Sequence, residues 1–185
     1  MKQRTRERVR DDVASLARAN LDLTSFADEA GRLIHQAVPF DGACWHTMDP
    51  ATLIETSVHS VNLPPHGGRI AEHEYLHDDY NKFVELARSR RHSGVLSEAT
   101  AGDPSRSPRY RAFLRPAGLL GELRASFVVE GNCWGCFAVF REAPIDFTPE
   151  ERDFAHDLAA TLGRGIRAAL LRATSTEMAV AVGQA

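Results

Sequence analysis

What this chain lacks narrows its chemistry before what it contains. Three cysteines, Cys44, Cys133 and Cys136, in 185 residues are too few and too odd in number for a disulfide framework, which fits a reducing compartment. No apolar run approaches the roughly 18–20 residues of a membrane helix. The N-terminus, Met1-Lys2-Gln3-Arg4-Thr5-Arg6, leads into charge and not into an apolar signal region. A cytoplasmic protein with no membrane partner is expected. Basic surplus is absent too: the net charge is −3, so these residues alone are a poor grip for nucleic-acid phosphates. Only Lys2 and Lys82 of the 22 basic residues are lysines, a skew that says little about mechanism. There is no G-x-G-x-x-G, no P-loop lysine and no G-x-S-x-G elbow, which removes the usual warrants for nucleotide cleavage and serine hydrolase chemistry.

What is present belongs to an ordinary folded domain. Hydrophobic residues make up 43% and charged residues 25% of the chain, and its length suits one domain with an arm or tail. Val9, Val13 and Leu16 recur at helical spacing in an amphipathic arm over residues 1–20. A second helix starts near Thr24 or Ser25, buries Phe26, Ala30, Leu33, Ile34 and Ala37, and stops at Pro39. Strand-like runs 42–48 and 53–59 flank an Asp49-Pro50 turn. Tyr80, Phe83, Leu86 and Ala87 mark a helix that Asp78 or Asp79 would cap, and Ser107-Pro108 opens another. The strongest strand signal is a hairpin, 122–129 and 133–141, around Glu130-Gly131-Asn132. Thr148-Pro149-Glu150-Glu151 then satisfies the capping box and places proline at the first helical position. The helix it opens carries Phe154, Leu158, Leu162, Ile166 and Leu170 in one row. Two hairpins among helices cannot be a βαβ series, so the fold class is α+β with an antiparallel sheet.

Four features invite chemical readings. His73-Glu74-Tyr75-Leu76-His77 matches H-E-x-x-H, in which histidines one helical turn apart grip zinc, but the stretch is weakly helical and no downstream histidine completes the metzincin pattern. Solvated or pocket-rim histidines are the preferred reading of the pair, and a metal or haem protein using His73, His77 or His46, or a hydrolase built on the former pair, ranks third among the functional readings. Cys133-Trp134-Gly135-Cys136 has redox or zinc spacing, yet residues three apart on a regular strand face opposite sides, which predicts separate thiols. Asp78-Asp79 and Glu150-Glu151 sit at helix starts, where the backbone dipole explains them. Tyr75, His77, Tyr80, Phe83, Tyr110 and Phe113 would either line a concave pocket against the sheet or fill a core beneath the helices.

A resemblance joins these pieces. The phrases Tyr80-Asn81-Lys82-Phe83, Leu86-Ala87-Arg88, Leu96-Ser97-Glu98-Ala99-Thr100-Ala101-Gly102-Asp103, Ser107-Pro108-Arg109-Tyr110-Arg111, Gly118 to Arg124, Cys133-Trp134-Gly135, Phe140-Arg141-Glu142 and Asp146 to Glu151 resemble the N-terminal GAF-like sensor region of actinobacterial regulators that end in a LuxR-type helix-turn-helix. The resemblance spans roughly residues 20–172. It implies five or six antiparallel strands, with the N- and C-terminal helices on one face and middle helices and loops on the ligand-binding other. The boundaries expected are a helical arm 1–20, a sensor domain 21–173 and a linker or tail 174–185. Nothing after Ala173 resembles a helix-turn-helix, so DNA would be reached only through a downstream domain outside this chain.

The expectation is a non-enzymatic sensory or dimerising domain of a transcription regulator, without a cofactor. An unidentified small molecule would enter under residues 62–83, lined by Tyr75, His77, Tyr80, Phe83, Phe113 and Phe127, and would act through the terminal helices. Self-association is expected through Val9, Val13, Leu16, Phe154, Leu158, Leu162, Ile166 and Leu170, because unpartnered apolar stripes on long helices generally find a partner. The alternative is a ligand-free interaction domain with a filled core.

Overall fold

The computed structural model describes residues 2–65, 69–142 and 145–183. The elements are α1 (Lys2–Leu16), α2 (Leu23–His35), β1 (Gly42–Met48), β2 (Glu55–Val61), α3 (Arg69–Tyr75), α4 (Phe83–Arg88), β3 (Ser93–Val95), α5 (Leu96–Ala99), β4 (Gly121–Val129), β5 (Asn132–Arg141) and α6 (Pro149–Gly183). A short helical passage over Tyr110–Leu114 precedes β4. The strands form one antiparallel sheet in the order β2-β1-β5-β4-β3. Among the described residues no helix is long and apolar enough to cross a membrane.

Local signals in the chain explain several boundaries. Asp22, two or three residues earlier than the sequence suggests, caps α2 by accepting the Ser25 amide at 2.9 Å. At the start of α6 the capping box is reciprocal: Thr148 Oγ1 accepts from the Glu151 amide and Glu151 Oε2 accepts from the Thr148 amide. The β4–β5 turn carries positive φ at Glu130 (51°) and Gly131 (79°), as a two-residue hairpin matching strand twist requires.

The sheet is covered on both faces, which gives two apolar clusters. One face bears Ala43, Trp45, Leu123, Ala125, Phe127, Phe137 and Val139 and packs against α1, α2 and α6. The other bears Met48, Cys133, Cys136, Ala138 and Phe140 and packs with Phe83, Leu96, Leu114 and Leu119. The first cluster corrects the expected dimer seam. Val9, Val13, Phe154, Leu158, Leu162 and Ile166 are all buried within a single chain, and Leu16 and Leu170 are partly buried against the same core. A lone helix with an apolar stripe does need a partner, but here α1 folds back onto α2 and α6 and finds it at home. Residues 2–16 are thus part of the domain's main core and not a free arm. Residues 174–183, expected as linker, continue α6 as helix.

Gly163 shows how closely α6 lies on the sheet. A Cβ there would meet Val129 Cγ2 at 2.7 Å and the Phe127 carbonyl oxygen at 3.1 Å. Glycine in a helix interior costs about 1 kcal/mol relative to alanine, so Gly→Ala on an open helix stabilises. Here the sign reverses. Gly163→Ala is expected to lower stability by about 1–3 kcal/mol, the usual range for overpacking, because α6 must lift off β4. Urea unfolding checks this, and an unchanged or raised midpoint would contradict the packing.

Candidate functional site

The strand parity of the second sheet face builds the site. In β4, Leu123, Ala125 and Phe127 enter the helix-side core, so Glu122, Arg124 and Ser126 point the other way. In β1 the same alternation sends Cys44 and His46 to this second side. A bulge does the rest in β2, where Thr47 pairs with Ser57 and Met48 with Glu55, so Thr56 is skipped and Glu55 turns onto the face of His46. Between this face and α3 lies a cavity of about 600 Å³. Its polar wall is His46, Glu55, Ser60, Glu74, Arg109, Glu122 and Arg124. Its apolar lining is Leu63, Pro64, Pro65 and Ile70 beside α3, with Val58 and Phe140 from the sheet itself.

The charged wall is held by an extended network. Arg109 Nη2 and Nε donate to the two carboxylate oxygens of Glu122 at 2.8 and 3.2 Å, and Nη2 also donates to the Tyr80 carbonyl. Asp79 Oδ2 accepts the Arg109 amide at 2.8 Å and Oδ1 accepts Ser107 Oγ. Asp79 therefore anchors the loop before Tyr110 instead of capping α4. Burial alone would raise its pKa, but the Arg109 guanidinium and these hydrogen bonds hold it below the usual carboxylate range. The amide of Phe83, the first residue of α4, is met by Glu74 Oε1. Glu74 Oε2 accepts from Arg124 Nη2 at 2.9 Å, and the Arg124 guanidinium stacks 3.6 Å from the centroid of Phe83. Arg124 Nε and Arg109 Nη1 make no hydrogen bond among the described residues; each has an ion-pair contact, Nε with Glu122 Oε1 at 3.8 Å and Nη1 with Asp79 Oδ2 at 3.3 Å.

A second cluster sits beside it. His46 Nδ1 lies 3.0 Å from Glu55 Oε2 as an ion-pair contact, and Cys44 is two residues away on the same face of β1. Burial disfavours the imidazolium, yet Cys44 and Glu55 outweigh it and push the His46 pKa up to about 10. Glu55 is correspondingly held low: its burial, which alone would raise it, is outweighed by His46 and Arg124.

The sequence-predicted lining is only partly assembled. Phe83 is in the cavity wall. Tyr75 stands at the end of α3, where its hydroxyl oxygen accepts the Glu55 amide at 2.7 Å and so ties α3 to β2. Tyr80 is partly buried against the second cluster, Phe113 packs edge-on to His73 with centroids 5.0 Å apart, and His77 is exposed. Phe127 requires a correction: it lies behind the sheet, between Trp45 and Phe137. In H-E-x-x-H the two rings approach to 4.8 Å, but Glu74 leaves them for Arg124 and Phe83, and α3 ends at Tyr75. Among the described residues no three His, Cys, Asp or Glu side chains are grouped to hold a metal. The C-x-x-C expectation is corrected as well. Phe127 pairs with Gly135 and Val128 with Cys133, so Trp134 is bulged out and both thiols enter the same apolar cluster. Burial raises the pKa of Cys133 and, more strongly, of Cys136.

The wall residues that sequence reasoning missed, Glu122 and Arg124, do leave a trace. Glu122-Leu123-Arg124-Ala125-Ser126-Phe127 alternates strictly. Alternation usually marks a solvated face. Here both faces are covered, so the polar half lines an interior cavity.

No protein-family model and no curated protein matches this chain. Solved structures do. It is similar to the GAF domain of an Acinetobacter phosphoenolpyruvate-protein phosphotransferase, at 17% identity and TM-score 0.61 over 92% of this chain and 95% of that one. The corresponding domain from Coxiella burnetii gives 14% identity and TM-score 0.60 over 92% and 97%. The phycoerythrobilin-bound GAF domain of a cyanobacterial phytochrome gives 15% and 0.58 over 90% and 96%. Such coverage with this sheet order and helix placement identifies the architecture: the chain has the GAF fold.

Proposed function

We propose that this domain is a sensor whose cavity binds a small molecule with an apolar body and a neutral or zwitterionic polar head. The observation that carries the reading is the mixed cavity, apolar at Leu63, Pro64, Pro65, Ile70 and Ala71 and polar along β1 and β4. Its charges balance, with His46, Arg109 and Arg124 against Glu55, Glu74 and Glu122, so the wall offers directed hydrogen bonds and little net field.

α6 is the proposed output element. Its 35 residues would span about 52 Å, and after Ala169 and the partly buried Leu170 its positions Leu171, Ala173, Thr174 and Ser175 are exposed. The resemblance to LuxR-type regulators supports a role in transcription control, with DNA contacted by another domain. Self-association would use these distal turns or the outer face of the helical layer, where Leu171 is 54% exposed, in place of the interior stripe.

Thermal melting across a panel of amphipathic metabolites tests the ligand reading. A ligand at a hundred times its Kd adds about 2.7 kcal/mol, which in a chain of this size raises Tm by roughly 5–10 °C. Ala138→Trp, which projects into the cavity from β5, is expected to abolish the shift. If no compound shifts the wild type, or the shift survives in the variant, the ligand-free interaction domain is the better account.

A further inference from the structure

The polar wall of the cavity divides into an engaged side and an open corner. On β4 and α3 the groups are occupied within the protein. Each nitrogen of Arg109 and Arg124 is hydrogen-bonded or ion-paired, both oxygens of Glu122 take Arg109, and those of Glu74 take the Phe83 amide and Arg124. A ligand head placed there would have to break a buried pair, a cost that outweighs one new hydrogen bond. The corner between β1 and β2 differs. His46 Nδ1 faces Glu55 Oε2 at 3.0 Å, but His46 Nε2 and Glu55 Oε1 make no hydrogen bond among the described residues. Both side chains line the cavity and are 7% and 15% exposed. The β2 bulge makes this corner, since Glu55 would face the helix side if Thr56 were in register.

We infer that this corner selects a hydroxyl group, so that the ligand class is an amphipathic alcohol or phenol whose O–H donates to Glu55 Oε1 and whose oxygen faces His46 Nε2. This rests on the cavity being the ligand site. A hydroxyl donates and accepts through one atom, so it suits a carboxylate oxygen and an imidazole nitrogen side by side, whichever role the nitrogen takes. A carboxylate head would set its charge against Glu55 while both guanidiniums are already engaged. An ammonium head would be a second cation on a carboxylate that His46 already pairs. The apolar body of the ligand would lie toward Leu63, Pro64, Pro65, Ile70 and Phe140.

An unselective apolar cavity would rank ligands the other way. There a hydroxyl brought out of water finds no partner and weakens binding, so the plain hydrocarbon binds more tightly than its phenol. A hydrogen bond to a part-buried, charged acceptor more than offsets that loss.

Butylbenzene, 4-butylphenol and 4-butylbenzoate, each displacing the neutral dye N-phenyl-1-naphthylamine from the full chain, test this. The phenol is expected to bind about tenfold tighter than butylbenzene, and the benzoate more weakly than either. Glu55→Gln keeps the shape and removes the charged acceptor. It is expected to cut the advantage of the phenol to about threefold or less, with a cooperative melting transition confirming a folded variant. Butylbenzene binding as tightly as the phenol, the benzoate binding tightest, or the whole preference surviving in folded Glu55→Gln would overturn the inference. Should that variant fail to fold, the ranking of the three compounds on the wild type decides alone. The dye separates the two levels. Dye bound without a preference for the phenol refutes hydroxyl recognition alone, whereas failure of the dye to bind refutes the cavity reading beneath it.

Discussion

Replacing Arg124 by alanine is expected to lower the unfolding free energy by about 3–5 kcal/mol, because it leaves the buried Glu74 carboxylate without its cation while Glu122 keeps Arg109. The Glu74 and Glu122 side chains beside it are 4% and 1% exposed, and Arg124 itself is 6% exposed. Burial would depress the Arg124 pKa, but Glu74 and Glu122 outweigh it and hold the guanidinium charged. Its loss also removes the stack on Phe83 and the hydrogen bond to the Asn81 carbonyl. Since domains of this kind are stable by about 5–15 kcal/mol in all, the variant should sit near its folding threshold. Adding Glu74→Gln to Arg124→Ala should cost less than the sum of the two single changes, because the second removes a charge the first left unpaired. Denaturant unfolding of the four proteins checks both statements. A loss below about 1 kcal/mol for Arg124→Ala would mean that the network is hydrated in solution.

The second large effect concerns Phe127, fully buried with ring centroids 5.8 Å from Trp45 and 5.4 Å from Phe137. Phe127→Ala should cost about 3–5 kcal/mol, the usual range for truncating a buried aromatic residue. Its side chain is on the helix side of β4, so the protein that remains folded should bind cavity ligands with wild-type affinity. Unfolding curves give the first quantity and dye titration at low temperature the second. A selective loss of affinity without loss of stability would place Phe127 where the sequence suggested and contradict the strand parity.

That contrast shows what the chain makes legible. Element order, both long hairpins, the capping box at Thr148 and the helix stripes can be read because each depends on neighbours within a few residues. Phe154 to Leu170 is apolar on one side whatever covers it, so the stripe is visible but its partners are not; they proved to be β4 and its neighbours in the sheet together with α1, more than 130 positions away. Bulges hide in the same way. Those at Thr56 and Trp134 each reverse the facing of what lies beyond, bringing Glu55 to His46 and Cys133 to the side of Cys136. No residue type announces either one. The ion pairs Arg109–Glu122 and Arg124–Glu74 are 13 and 50 positions apart, and only the closed sheet makes them neighbours.

The central claim, that the space between the polar face of β1 and β4 and α3 receives a small molecule, is tested most directly by equilibrium titration with N-phenyl-1-naphthylamine. Folded wild-type protein should bind one dye per chain, with blue-shifted, saturable fluorescence, and Ala138→Trp should lose that binding while keeping a cooperative unfolding transition. Absence of saturable binding to the wild type, or equal binding by the filled variant, would contradict it.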